Sequence, residues 1–193
     1  AYSAKGDFGT ALDYYGRSLA IAEELGDKLG MGSSLNSIGI VHSNKGDVGK
    51  ALDYYSRSLA ITKELGSKGL MGTVLNNIGL ECLIKGDYGK ALDYYGRSLA
   101  IHEELGDKRG MGHSLMNIGI MYGSKGDYGN AIDYFERSLA IREELGDKRG
   151  MGANLNNIGI VNSDKGEYDK ALEYYARSLK IQEELGDKYG MGN

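Results

Sequence analysis

The chain has 193 residues, 41% of them hydrophobic and 26% charged, with 31 glycines, no proline and no tryptophan. Its 23 basic and 27 acidic residues are spread evenly to a net charge of −4, so the basic stripe of a nucleic-acid binder is missing. Cys82 is the only cysteine, which excludes an internal disulfide and a cysteine zinc site, and no apolar run approaches the ~20 residues of a membrane span.

Ala1 to Lys5 align with Met121 to Lys125 and are expected to be the last turn of a helix that begins outside the sequence, so the chain reads as a fragment opening in mid-unit. Gly6-Asp7 then predicts a tight corner, with Asp7 capping the next helix through its free N–H groups. Asp47, Asp87, Asp127 and Glu167 take the same place, glutamate being the poorest cap. In the helix after Asp47, Ala51, Leu52, Tyr55, Ser58, Leu59 and Leu65 recur at three- and four-residue spacings and predict one buried face. Asp53 and Arg57, four apart on the other side with the acid first, form a favourable exposed pair. The pair repeats as Asp13–Arg17, Asp93–Arg97, Asp133–Arg137 and Glu173–Arg177.

Each such helix is expected to close at a left-handed glycine: Gly26, Gly66, Gly106, Gly146 and Gly186. Asp27, Ser67, Asp107, Asp147 and Asp187 follow as caps for a second helix. Gly110 and Gly112 weaken its first turn by roughly 1 kcal/mol each relative to alanine, a cost that either close helix approach or a flexible entry would explain. Leu75, Ile78, Gly79 and Cys82 then mark the inward face. Gly79, recurring as Gly39, Gly119 and Gly159, joins Ala91 and Ser98 as small residues where two backbones should nearly touch.

The alternation repeats every 40 residues. Between Gly86–Lys125 and the following 40-residue copy, 28 residues are unchanged, enough to predict an array of stacked helix pairs. The expected fold is all-α, an α-solenoid of antiparallel helix pairs joined by two- to three-residue turns. A single array would fill residues 1–193, with a partial unit at 1–25, units near 27–65, 67–105, 107–145 and 147–185, and the start of another at 187–193.

Leu115, Ile118-Gly119 and Tyr122, followed by Ala131 and Phe135, resemble the tetratricopeptide repeat, with leucine in place of its tryptophan and its proline absent. The 40-residue units are similar to those of kinesin light chains, of Pins-type scaffolds and of bacterial signalling arrays. That resemblance implies a right-handed superhelix and a peptide held along its concave side. It also implies that Asn77, Asn117 and Asn157 hydrogen-bond the peptide backbone, with Ser37 a shorter substitute.

The helical face itself leads to a similar place. With Leu75, Ile78 and Cys82 inward, Asn76, Leu80, Leu83 and Ile84 point away. Their counterparts are Asn36, Ile40, Ser43 and Asn44, then Met116, Ile120, Gly123 and Ser124, then Asn156, Ile160, Ser163 and Asp164. Amides beside branched aliphatics suit a peptide, although the aliphatics would equally pack on the next unit and the asparagines bridge repeats. The candidate contact residues are therefore Asn36, Ile40, Asn44, Asn76, Asn77, Leu80, Ile84, Met116, Asn117, Ile120, Asn156, Asn157 and Ile160.

Glu81 replaces Val41, Met121 and Val161, and is expected at an edge with its carboxylate in water. His42, Cys82 and Tyr122 share one phase but stand a unit apart, too far to share a metal, and His102 and His113 lack a third ligand. No metal or cofactor is expected. Repetition spreads acids and bases along a line, which argues against an enzyme. The reading is a protein- or peptide-binding scaffold with no nucleic-acid or membrane partner, and a reducing, cytoplasmic setting fits the lone cysteine. The alternative is an array that assembles with itself through uncapped ends.

Overall fold

The computed structural model describes the backbone of residues 7–190 and the side chains of 7–186. Among these residues there are nine helices and no strand: α1 (Phe8–Leu25), α2 (Lys28–Asn44), α3 (Val48–Glu64), α4 (Lys68–Ile84), α5 (Tyr88–Leu105), α6 (Lys108–Ser124), α7 (Tyr128–Glu144), α8 (Lys148–Asp164) and α9 (Tyr168–Gly190). The chain divides into two compact units, Ala1–Ile101 and His102–Asn193. In the first, α1 packs on α2, α2 on α3 and α3 on α4; in the second, α6 packs on α7, α7 on α8 and α8 on α9. Helices joined by two or three residues can pack only by folding back, so each neighbouring pair is antiparallel.

The turns follow the chemistry of their residues. Glycines 26, 46, 66, 86, 106, 126, 146 and 166 all have φ between 63° and 81°, the left-handed region that other residues enter at a cost. Asp7 Oδ1 accepts from the Thr10 N–H at 3.0 Å, and Asp27, Asp87, Asp107, Asp127 and Asp147 repeat this three residues on. Asp47 and Ser67 make no side-chain cap bond, and the carboxylate of Glu167 instead meets Lys165 and Lys170, both at 2.8 Å. The expected stop at Gly186 is not made, because α9 runs on to Gly190. No second helix folds back from Asp187 among the described residues, so nothing offsets breaking the i→i−4 ladder there. The turn expected before Gly6 and the residues beyond Gly190 lie outside the described residues.

The pairs lock through a glycine and an aromatic ring rather than through touching backbones. A Cβ placed on Gly39 would lie 2.5 Å from the Tyr55 ring; on Gly79, 2.7 Å from Tyr95; on Gly119, 2.6 Å from Phe135; on Gly159, 2.6 Å from Tyr175. The paired helices are also tied by a serine side chain to the carbonyl of the glycine that follows methionine in each Gly-Met-Gly or Leu-Met-Gly string. Ser58 Oγ donates to Gly32 O at 2.7 Å, and Ser98, Ser138 and Ser178 donate to Gly72, Gly112 and Gly152 O. Of the two glycines that open α6, Gly110 makes room for a neighbouring side chain, since a Cβ there would lie 2.1 Å from the His102 ring, whereas one on Gly112 would meet only ordinary contacts at 3.7 Å.

In the second unit the core gathers Ala131, Phe135, Leu139, Leu155, Ile158 and Val161. The predicted face of α3 holds at Ala51, Tyr55, Ser58 and Leu59, but Leu65 is 43% exposed. It sits in the turn, past the last helical residue, and Thr62 takes the buried position instead. The four expected Asp–Arg pairs form, at separations of 3.2–3.9 Å, and each of the five arginines also lies over the tyrosine three residues before it, as Arg137 over Tyr134 at 5.0 Å.

Gly96 occupies mid-α5, where an added Cβ would meet nothing within 4 Å; the same phase holds Ser56, Glu136 and Ala176. Gly96→Ala is accordingly expected to stabilise the protein by about 0.5–1 kcal/mol, read as a higher urea midpoint at unchanged slope.

Candidate functional site

The amide-and-aliphatic face predicted on the second helix of each pair has to be described one unit at a time. In the first unit Ile40 and Asn44 of α2 and Leu80 and Ile84 of α4 are exposed, while Asn76 and Asn77 are half-buried. The exposure of Ile40, Leu80 and Ile84 runs from 38% to 58%, so these side chains are not consumed by packing. Asn36 departs from expectation: it is 7% exposed, and its Oδ1 accepts from Asn77 Nδ2 at 2.9 Å. Its amide bridges α2 and α4 instead of pointing away, because α4 crosses directly over it. Ser37 Oγ donates to Ser33 O of its own helix.

In the second unit Met116, Asn117 and Ile120 of α6 and Asn157 of α8 are half-buried, and Asn156 and Ile160 are exposed. Ser124 Oγ donates to Ile120 O. Each unit thus presents amides beside aliphatics on adjacent second helices, and the remaining amides are split between bridging and display.

A cluster that sequence reasoning missed lies at the start of these helices in the second unit. Arg142, only 5% exposed, lies in the last turn of α7. Its guanidinium donates to Asp147 Oδ2 at 2.6 Å, to Ser138 Oγ at 3.4 Å and lies 3.3 Å from His113 Nδ1. In the preceding repeat His102 Nδ1 approaches Asp107 Oδ2 at 2.9 Å in the same way. A Cβ on Gly110 would sit 2.1 Å from the His102 ring, and on Gly150 1.9 Å from Arg142. Leucine stands at that phase only as Leu70, where the internal residue is the small Thr62. The signal available in sequence was this phase, Ala22, Thr62, His102, Arg142 and Gln182, where every copy differs.

Electrostatics follows the geometry. Partial burial first, and then the Arg142 guanidinium, hold His113 below the ordinary histidine value of 6.5. Burial alone would push Asp147 up, but the Gly150 N–H and Arg142 together hold its carboxyl below the usual range. Because the folded state keeps His113 neutral, its contribution favours the fold above pH 6.5 and is lost as pH falls below it. In a histidine NMR titration His113 should titrate below 6.5, and Arg142→Thr should move it upward; an unmoved midpoint would remove the guanidinium as a cause.

Glu81 is corrected outright. It is 0% exposed, and neither carboxylate oxygen has a hydrogen-bond partner. Position 81 faces inward with Val41, Met121 and Val161, so the acid is carried into the core by its place in the helix. No group of three or more metal-ligating side chains occurs among the described residues, and no helix there is long and apolar enough to cross a membrane.

Repeated antiparallel helix pairs that display a recurring polar–aliphatic face define a helical-repeat interaction module. The sequence profile of the tetratricopeptide repeat matches residues 1–64, 31–104, 70–144 and 110–184, and the chain belongs to the tetratricopeptide repeat family. An array of this family is a protein–protein interaction scaffold. No curated protein sequence matches the chain. Among solved structures it is similar to BtubC (BKLC) from P. vanneervenii, at 25% identity and TM-score 0.81 over 96% of this chain and 77% of that one. It is also similar to a Podosopora anserina chain described as a kinesin light chain of nearly identical TPR-like repeats, at 15% identity and TM-score 0.73 over 96% and 92%. A Rap protein complexed with competence and sporulation factor shares the fold at 23% identity and TM-score 0.87 over 97% of this chain, which spans only 52% of that protein's length.

Proposed function

We propose that the protein is a non-enzymatic scaffold that holds an extended segment of a partner protein on the second helices of its repeats. The observation that carries this reading is the exposed aliphatics of each unit, Ile40, Leu80 and Ile84 in the first and Ile160 in the second, set next to half-buried amides, Asn76 and Asn77 in the first and Asn117 and Asn157 in the second. Extended backbone offers N–H and C=O groups that amides pair with, and alternate side chains that the aliphatics contact. Solenoids bind along such surfaces because stacking repeats leaves one helix of each pair free on that side. The Rap protein complexed with competence and sporulation factor adds a precedent within the fold for a bound partner.

The test uses peptides selected by display on the wild-type protein. Asn77→Ala with Asn117→Ala is expected to weaken their binding about tenfold, two hydrogen bonds at roughly 0.5–1.5 kcal/mol each; because Asn77 also donates to the buried Asn36 Oδ1, the change should cost about 1–3 kcal/mol of stability as well. Undiminished affinity would refute the assignment of these amides. A second reading, self-association, draws on Tyr168, Leu172 and Leu179, all more than half exposed on α9, whereas Leu139 at the phase of Leu179 is buried. Light scattering over a concentration series tests it, since a constant monomer mass would count against it.

A further inference from the structure

His113 stands in the second turn of α6, at a phase that Ser33, Thr73 and Ala153 hold in the other repeats. One side of its ring is exposed, and the other meets the buried Arg142, whose Nη2 lies 3.3 Å from Nδ1. A guanidinium only donates, so this contact requires a neutral imidazole with its lone pair on Nδ1 and its proton on Nε2. The same Nη2 reaches Met116 Sδ at 4.0 Å. Residues three apart share a helix face, and one guanidinium nitrogen thus joins His113 to Met116, a residue of the candidate face.

Protonation breaks this arrangement. An imidazolium has no acceptor for Arg142 and sets a second positive charge 3.3 Å from it, too close for salt to screen. The acids nearby are engaged. Asp147 accepts from Arg142 at Oδ2 and from the Gly150 N–H at Oδ1, while Asp107 meets His102 at Oδ2 and the Gly110 N–H at Oδ1. The other charges bordering the adjoining cavity of about 830 Å³ are cations, Lys108, Arg109, Lys148 and Arg149, of which Lys108 and Lys148 pair with Glu144 and Glu184. Arg142 is fixed by Asp147 and Ser138. The His113 ring is therefore the part that moves, and the cavity that it lines with Met116 gives it room.

We propose that His113 is a pH switch on the partner-binding face of the second unit, neutral when Met116 is set to receive the bound segment and charged when the segment is released. This rests on the peptide-binding reading above and adds its regulation. The sign follows from the contact: affinity is full while His113 is neutral and falls as pH drops through its midpoint. By reciprocity, the bound segment must lower that midpoint by the same factor.

The test uses a labelled peptide, blocked at both ends and selected at about pH 7.5 from a library without Asp, Glu or His, so that any titration belongs to the protein. By fluorescence anisotropy, its affinity for the wild type should fall roughly tenfold by about pH 5. His113→Gln keeps an acceptor for Arg142 but gains no charge, and should bind equally well at both pH values. His113→Thr, which installs the residue found at this phase in α4, should also lose the pH dependence, and both variants should keep the wild-type circular dichroism. In NMR of the free wild type, the Met116 methyl signal should follow the His113 ring signals through the titration, and in the complex the His113 midpoint should be lower. A pH dependence that survives either substitution overturns the assignment to His113, and a stationary Met116 methyl overturns its link to the face. Peptide binding that ignores pH in the wild type overturns the switch and leaves the face standing; failure to select any binding peptide overturns both.

Discussion

Phe135→Ala is expected to cost about 3–5 kcal/mol of stability, the usual range for emptying a buried aromatic site. Phe135 is 2% exposed at the centre of the second unit's core, and its ring fills the groove that Gly119 leaves in α6, 2.6 Å from where a Cβ would be. The two residues should couple. Gly119→Ala alone gains about 1 kcal/mol of helix propensity but forces the ring or the backbone to move, and overpacking a filled core costs about 1–3 kcal/mol; the net result should be a loss. In the Phe135→Ala background the same methyl enters empty space and should stabilise. Urea unfolding of the four proteins gives the interaction energy directly. A Gly119→Ala effect of the same sign and size in both backgrounds would show that the glycine is not there to admit the ring.

Glu81→Met should stabilise the first unit by roughly 2–4 kcal/mol, because an acid left without partners in the core forfeits its hydration for nothing. Methionine already occupies this phase as Met121, which is buried, so the replacement has a precedent in shape. The neighbouring Tyr95 sharpens the case. Burial pushes its phenol well up, with Cys82 and Glu81 adding to the effect, and its hydroxyl is buried with no partner. Tyr55 in the previous repeat has Ser43 to hydrogen-bond, but Leu83 stands at that phase next to Tyr95. Tyr95→Phe should therefore be neutral or stabilising, as Phe135 is in its own repeat. Destabilisation by Glu81→Met, measured by chemical denaturation at neutral pH, would mean that the carboxylate has a partner the structure does not contain.

How far the sequence alone reached depended on what each residue's role required. Most turns and caps were legible because Gly-Asp corners act locally, and a left-handed glycine needs no tertiary partner; the exceptions were Asp47, Ser67, Glu167 and the stop at Gly186. The 40-residue period carried the pairing of helices for the same reason. Gly39, Gly79, Gly119 and Gly159 were identified as packing residues but assigned to the wrong neighbour, since small size alone does not distinguish a facing backbone from a facing ring. Glu81 was placed in water on the general rarity of buried acids, although its phase with Val41 and Val161 pointed inward. The candidate face was legible as a stripe at i, i+4 and i+7, but the burial of Asn36 depends on how α4 crosses α2. Arg142 and its cavity escaped because a single basic residue late in a helix reads as exposed until the Gly150 opening beneath it is seen.

The central claim is that partners lie along the second helices of the repeats, and the most direct test is NMR mapping of a display-selected peptide onto the protein. Side-chain amide signals of Asn77, Asn117 and Asn157 and methyl signals of Ile40, Leu80, Met116, Ile120 and Ile160 should shift on titration. Shifts confined to the outer surfaces of α3, α5 and α7, with those amides and methyls unmoved, would contradict it.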